Sequence, residues 1–299
     1  MEIYPVGPPK QQYLNLPFFA YGTFKPGQLA YPKIEKYVKG EPSAELIEHE
    51  MRYRDGLALI VNEENKTFKT SGHLIEFSNP EEAYKIIGES QYETLYRWKQ
   101  IQVNGEPANA LVGKKENRGS FKNRDYNPSI YDYRQDHFFN EALELIEDII
   151  NEFEGKNITN MKDFFRFQMN YMLLWSIIER FSTLSYGFPQ KSSDNFRIAE
   201  EKSFINKLEN NTRKDKIYSS DFLLKKKLNP NKYWKSIRYY YTIRCNVVHK
   251  GKSVKAEDLN KLKESLEELF ELFNVVYNEK LMQNDKIREK YPEKRFLED

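Results

Sequence analysis

Between residue 16 and about residue 115 the apolar positions of this chain come in short clusters broken by Gly, Pro and Asn. That is the spacing of strands and turns rather than of long helices. Leu16-Pro17-Phe18-Phe19-Ala20-Tyr21 reads as a buried strand that stops at Gly22. Further strands are predicted over 56–61, 72–77, 96–103 and 108–112, with Asn104-Gly105 as the hairpin turn between the last two. One helix is expected among them. Asn79 supplies its N-cap, Pro80 its first position, and Glu81 and Glu82 the negative charge that suits the positive end of a helix dipole, so it should run to about Ile87.

Residues 116–136 are polar, spotted with aromatics and without period, which marks a linker. Beyond it the period becomes helical. Phe139, Leu143, Ile146, Ile150 and Phe153 step by four, three, four and three, giving one apolar stripe. Asn160 caps a second predicted helix through Phe164, Met169, Trp175, Ile178 and Phe181, which closes near Gly187. Short helical pieces are expected over 203–208 and 221–228. A strong helix starts at Asn229-Pro230 and stops at Gly251, and a last one carries Leu259, Leu262, Leu266, Leu269, Phe273 and Val276. The charged tail from Gln283 is expected to fray. No internal repeat is visible.

Length supports the break in pattern. At 299 residues the chain exceeds the usual size of one core. It divides into an N-terminal extension (1–15), a strand domain (16–115), the linker (116–136), an antiparallel helical bundle (137–282) and the tail (283–299), an α+β chain in all. Lys and Arg total 47 against 45 for Asp and Glu, so any contact with nucleic acid must be local. The lone cysteine, Cys245, excludes an internal disulfide and a cysteine-based zinc site, and points to a reducing compartment, the cytoplasm. No apolar run reaches the roughly 18 residues that span a bilayer, and the first residues lack a signal-peptide pattern, so no membrane partner is expected.

The stretch Phe19-Ala20-Tyr21-Gly22-Thr23-Phe24-Lys25-Pro26-Gly27-Gln28 resembles the Tyr-Gly-Ser/Thr-Leu loop that opens gamma-glutamylcyclotransferase domains, with Phe24 in place of the commoner leucine. Gly72-His73-Leu74-Ile75-Glu76 is similar to the family's Gly-x-Leu strand. In Ile87-Gly88-Glu89-Ser90-Gln91, ahead of Tyr96-Arg97, Glu89 stands at the place of its catalytic acid, with Glu93 as the rival position. The resemblance implies a small mixed β-barrel or sheet. Tyr21, Gly22, Thr23, Phe24 and Tyr96 would hold a glutamyl group on backbone amides, and Glu89 would move a proton without metal or cofactor. The plain alternatives are that Tyr21-Gly22-Thr23 is only a strand-ending turn, Glu89 a solvated carboxylate and His73 a structural histidine.

Tyr239-Tyr240-Tyr241-Thr242-Ile243-Arg244-Cys245-Asn246-Val247-Val248-His249-Lys250-Gly251 resembles the Arg-x4-6-His motif of HEPN domains. Leu174-Trp175-Ser176-Ile177-Ile178-Glu179-Arg180 is similar to the family's acid-bearing helix. The resemblance implies a metal-free ribonuclease in which His249 takes a proton from a ribose 2′-hydroxyl and Arg244 holds the phosphate. Asn246 would orient His249, and Lys250 and Lys252 would rim the site. It also implies a homodimer. Cys245 follows the arginine where catalytic members often carry a polar residue, and Arg244 with Glu179 reads equally well as a structural ion pair.

Three functions are therefore expected. The first is a metal-independent RNA endonuclease or RNA-binding effector, of a stress or phage-defence kind, with a small-ligand domain in front. The second is a gamma-glutamyl amine cyclotransferase releasing 5-oxoproline, with the helices serving dimerisation. The third is a non-catalytic, ligand-responsive interaction protein.

Overall fold

A computed structural model describes residues 5–54, 57–62, 68–91, 93–114, 136–186, 192–211, 213, 215–218, 225–250 and 256–290. The fold is of mixed α and β type, and the chain separates into two compact units. One is built on the strands that end at Gly113; the other lies within Arg134–Thr183 and Lys191–Met282. Among the described residues no helix is long and apolar enough to cross a membrane.

In the first unit, β1 (Phe18–Ala20), β2 (Val38–Gly40), β3 (Ser43–Ile47), β6 (Lys69–Phe77), β7 (Tyr96–Val103) and β8 (Glu106–Gly113) form one mixed sheet in the order β2-β6-β1-β8-β7, with β3 also on β6. A separate hairpin joins β4 (His49–Arg54) to β5 (Leu57–Asn62). β1 is antiparallel to β6 and parallel to β8. The turn between β7 and β8 falls where Asn-Gly places it, with positive φ at Asn104 (52°) and Gly105 (87°). Helix α1 (Pro80–Glu89) starts as its sequence requires, Asn79 accepting a hydrogen bond from the Glu82 amide. Phe19, Tyr21, Leu46, Ile60, Val103, Ala110 and Val112 share its core.

The strands β2, β3 and β4 carry no strong apolar run. In β3 only the small Ala44 and Leu46 point inward between exposed Ser43, Glu45 and Ile47, so the period-two signal is short. Gly72 marks the tightest point of the sheet. A Cβ there would meet the Ala20 carbonyl oxygen at 2.6 Å and the Phe19 ring at 2.7 Å. Gly72→Ala is therefore expected to cost about 2 kcal/mol, read as a lower urea midpoint with an unchanged slope.

The second unit holds α2 (His137–Glu152), all but the last turn of α3 (Met161–Tyr186), a 3-10 stretch (Ser192–Glu200), α4 (Lys202–Glu209), a hairpin of β9 (Lys216–Tyr218) and β10 (Lys225–Lys227), α5 (Tyr233–Lys250) and α6 (Ala256–Lys290) as far as Met282. Asp136 caps α2 through the Phe138 amide, and Asn160 caps α3 through the Asp163 amide. Trp175, Phe139, Phe167, Tyr171, Tyr239 and Tyr240 are almost wholly enclosed in its core.

Three expectations change here. The piece expected to be helical over 221–228 contains the strand β10 instead, with 219–224 outside the described residues. Three consecutive lysines offer no apolar stripe to hold a helix on the core, whereas pairing with β9 satisfies their backbone. Helix α5 begins at Tyr233 rather than at Pro230, because Asn229 and the Ser236 hydroxyl close a turn on each other at 2.7 and 3.1 Å. Finally, α6 continues to Lys290, so the fraying expected from Gln283 does not begin there. Its Lys, Glu, Gln and Arg are good helix formers without help from a core. Of the linker expected over 116–136, only Asp136 is described.

Candidate functional site

In the first unit the chain turns after β1, and Tyr21, Gly22, Thr23 and Phe24 line a hollow of about 30 Å³ with Gln91 and Tyr96. Gly22 has no positive φ. Its role is close approach, because a Cβ would sit 3.1 Å from that of Ala58. The left-handed glycine of the loop is Gly27, at φ 78°. The loop amides of Lys25, Gln28 and Ala30 donate to the carbonyls of Gly22, Lys25 and Thr23, so these three are spent within the loop. Both phenols are committed too. Tyr21 donates to the Leu111 carbonyl at 2.5 Å and Tyr96 to that of Ala58 at 2.8 Å, and burial pushes both well above the ordinary tyrosine range.

The expected opposition of an acid to this turn is not formed. Glu89 is exposed and does not line the hollow. The helical period explains this: Ala83, Tyr84, Ile87 and Gly88 make the buried face of α1, and Glu89 falls one step past it. Gly88 is itself pinned, since a Cβ there would overlap the Gly7 carbonyl. Glu93 is exposed as well. The wall is completed by Gln91, whose buried Oε1 has no hydrogen-bond partner. Sequence reasoning passed over it because a glutamine between two acids carries no chemical signal.

His73 lies on β6 opposite Ala20 and Ser43, with its buried Nδ1 unpartnered. Burial first, and the Lys25 charge second, lower its pKa to about 4. The unfolded imidazole takes its proton near pH 6.5 and the folded one near 4, so the native state binds fewer protons between those values. The first unit should thus lose stability as pH falls through that window. One pKa unit is worth about 1.4 kcal/mol, and solvent screening of a partly exposed ring reduces the total to roughly 1–2 kcal/mol. Urea midpoints at pH 7 and pH 4.5, compared with those of His73→Gln, check this; the variant should lose most of the difference.

In the second unit α3 and α5 bring Glu179 and Arg244 together, with Arg244 Nη2 3.7 Å from Glu179 Oε1. Arg244 lies over the Tyr241 ring, 5.5 Å from its centre, and Tyr241 packs edge-on against Trp175 and Phe196. The pair is loose. Its side chains keep 23% and 35% of their surface, and the buried Nε of Arg244 has no partner. Two other arginine pairs of the same unit are closed. Arg180 grips Asp136 with two nitrogens at 2.9 and 2.6 Å, and Arg213 Nε meets Glu268 at 2.6 Å.

Asn246 donates its Nδ2 to the Tyr218 carbonyl at 2.9 Å, which ties the β9–β10 hairpin to α5, and its buried Oδ1 has no partner. His249 and Lys250 are placed by their backbone in the last turn of α5, His249 one turn beyond Asn246. Lys252 lies outside the described residues. Cys245 is a half-buried free thiol. Among the described residues no three His, Cys, Asp or Glu side chains are grouped to hold a metal. Comparison with family models, with curated proteins and with solved structures finds no match to this chain.

Proposed function

We propose that this protein acts on RNA through its helical unit, as an endonuclease that needs no metal, with His249 as the base and Arg244 as the group that holds the phosphate. The observation that carries this reading is the open Arg244–Glu179 pair. At 3.7 Å Nη2 is beyond hydrogen-bond distance of Glu179 and the Arg244 side chain keeps 23% of its surface, so the guanidinium keeps Nη donors for an anion. A guanidinium recruited only for stability would be expected to close on its acid, as Arg180 and Arg213 do. Glu179 then holds Arg244 in place and is displaced in part by the phosphate. Cleavage proceeds by attack of the ribose 2′-oxygen on the neighbouring phosphorus as His249 removes its proton; the P–O5′ bond breaks, leaving a 2′,3′-cyclic phosphate and a 5′-hydroxyl that takes its proton from water.

The first unit is read as a ligand-sensing module rather than a cyclotransferase. A hollow of about 30 Å³ has room for about one water, far below the size of a glutamyl group, and Glu89 stands outside it. A small ligand would have to open the loop after β1 to enter.

Incubation of the full chain with labelled single-stranded RNA, in chelator, tests the proposal. Cleavage by the parent protein and its loss in His249→Ala and Arg244→Ala is the expected result; equal cleavage by all three, or by none, overturns it.

A further inference from the structure

Residues 213–227 hold six basic side chains against two acidic ones, in a chain whose charges otherwise nearly cancel. The hairpin sorts them. Lys216 pairs opposite Lys227, Ile217 opposite Lys226, and Tyr218 opposite Lys225. Successive side chains of a strand point to opposite faces. Lys216, Tyr218, Lys225 and Lys227 are exposed, while Ile217 and Lys226 are half-buried. Three lysines and a tyrosine therefore share one open face, with Lys225 Nζ 5.5 Å from the centre of the Tyr218 ring.

This face is built at a cost. Lys216 and Lys227 stand directly across from each other, and like charges so placed destabilise a strand pair. An anion between them would remove that repulsion. The same two lysines border a groove of about 820 Å³ shared with Asn211, Asn229 and Asn231. The acids Glu209 and Asp215 border it as well, but Asp215 is already engaged by the Tyr239 hydroxyl at 2.6 Å and by Lys261 at 3.4 Å. The hairpin is fixed in place by Asn246, two residues past Arg244 on α5.

We infer that the open face of the β9–β10 hairpin docks single-stranded RNA, with phosphates at Lys216 and Lys227 and a base stacked on Tyr218. The inference rests on RNA being the substrate of the Arg244 and His249 site, and it names the surface that feeds the strand to it. An acidic peptide would also satisfy the lysines. It has no use for an exposed ring set among them, whereas ring-on-base stacking is what a single strand adds to charge.

The test measures binding of a fluorescein-labelled, 2′-O-methyl single-stranded RNA, which the proposed reaction cannot cleave, to the full chain over a range of salt. Joint Lys216→Gln and Lys227→Gln substitution is expected to flatten the slope of log affinity against log salt by about 1.4, at about 0.7 for each phosphate lost. Tyr218→Ala should weaken binding on the order of tenfold with the slope kept, and Tyr218→Phe should restore it. All three positions are exposed, so the thermal midpoint should hold and report intact folding. An unchanged slope and affinity in the lysine variant overturns the inference. So does labelled polyglutamate that binds as tightly as RNA and ignores Tyr218→Ala, which would make the face an acidic-protein surface. If the hairpin variants lose RNA while His249→Ala cleaves like the parent, the docking surface stands and the nuclease assignment falls. Unchanged binding alongside a dead His249→Ala gives the reverse.

Discussion

His249→Ala is expected to slow RNA cleavage by the full chain about 10²- to 10⁴-fold, the usual contribution of a positioned acid or base. Arg244→Ala should cost about 10²- to 10³-fold, as the loss of one group that stabilises developing charge does. Arg244→Lys separates charge from geometry. A lysine keeps the charge but not the planar fork, so it should recover little. Glu179→Gln discriminates between the two readings of this pair. In a structural pair it would lower the thermal midpoint and leave cleavage alone. With side chains 35% and 23% exposed, the pair is worth only about 1 kcal/mol to stability, so the expected result is a fall in kcat at nearly constant midpoint. Cleavage unchanged in Glu179→Gln, with a clear loss of stability, would return Arg244 to a structural role.

The largest expected effect on stability lies elsewhere in the same unit. Arg213 is the hub of a network on the bundle. Its Nε and Nη2 hold Glu268, its Nη1 reaches Glu264 at 2.9 Å, and its Nη2 reaches the Ser265 hydroxyl at 3.2 Å. Tyr240 donates to Glu268 at 2.9 Å, and the guanidinium lies 5.7 Å from the centre of the Tyr239 ring. Arg213→Ala leaves the carboxylate of Glu268 four-fifths buried without its cation, which should cost about 3 kcal/mol. That corresponds to a fall of roughly 6–12 °C in the midpoint of a unit this size. The joint change Arg213→Met with Glu268→Leu should recover most of it, since it removes the stranded charge along with its partner. A fall of only a degree or two in Arg213→Ala would show that water reaches Glu268 and that the network is a surface feature.

The two readings differ in how they could be seen from residues alone. The break between a strand-rich half and a helical half was visible because it rests on period: Phe139, Ile146 and Phe153 repeat like a helix, and Asn104-Gly105 turns like a hairpin wherever it occurs. The caps at Asn79 and Asn160 are equally local, since each side chain bonds an amide three residues away. The strands β2, β3 and β4 were hidden, because with few apolar residues only pairing with β6 and between β4 and β5 stabilises them.

Chemical groups behave in the opposite way. Residue type and motif singled out Arg244, Glu179 and Glu89, but whether an acid meets a base or a loop depends on which face of a helix reaches a neighbour, and that is settled by partners far along the chain. Sixty-five residues separate Glu179 from Arg244, yet α3 and α5 set them 3.7 Å apart. Glu89 lies two residues from Gln91, yet only Gln91 lines the hollow. Local period and capping are short-range preferences written into each segment. The open guanidinium and the one-water hollow exist only because long-range packing brings distant segments to the same place, and no segment carries that information by itself.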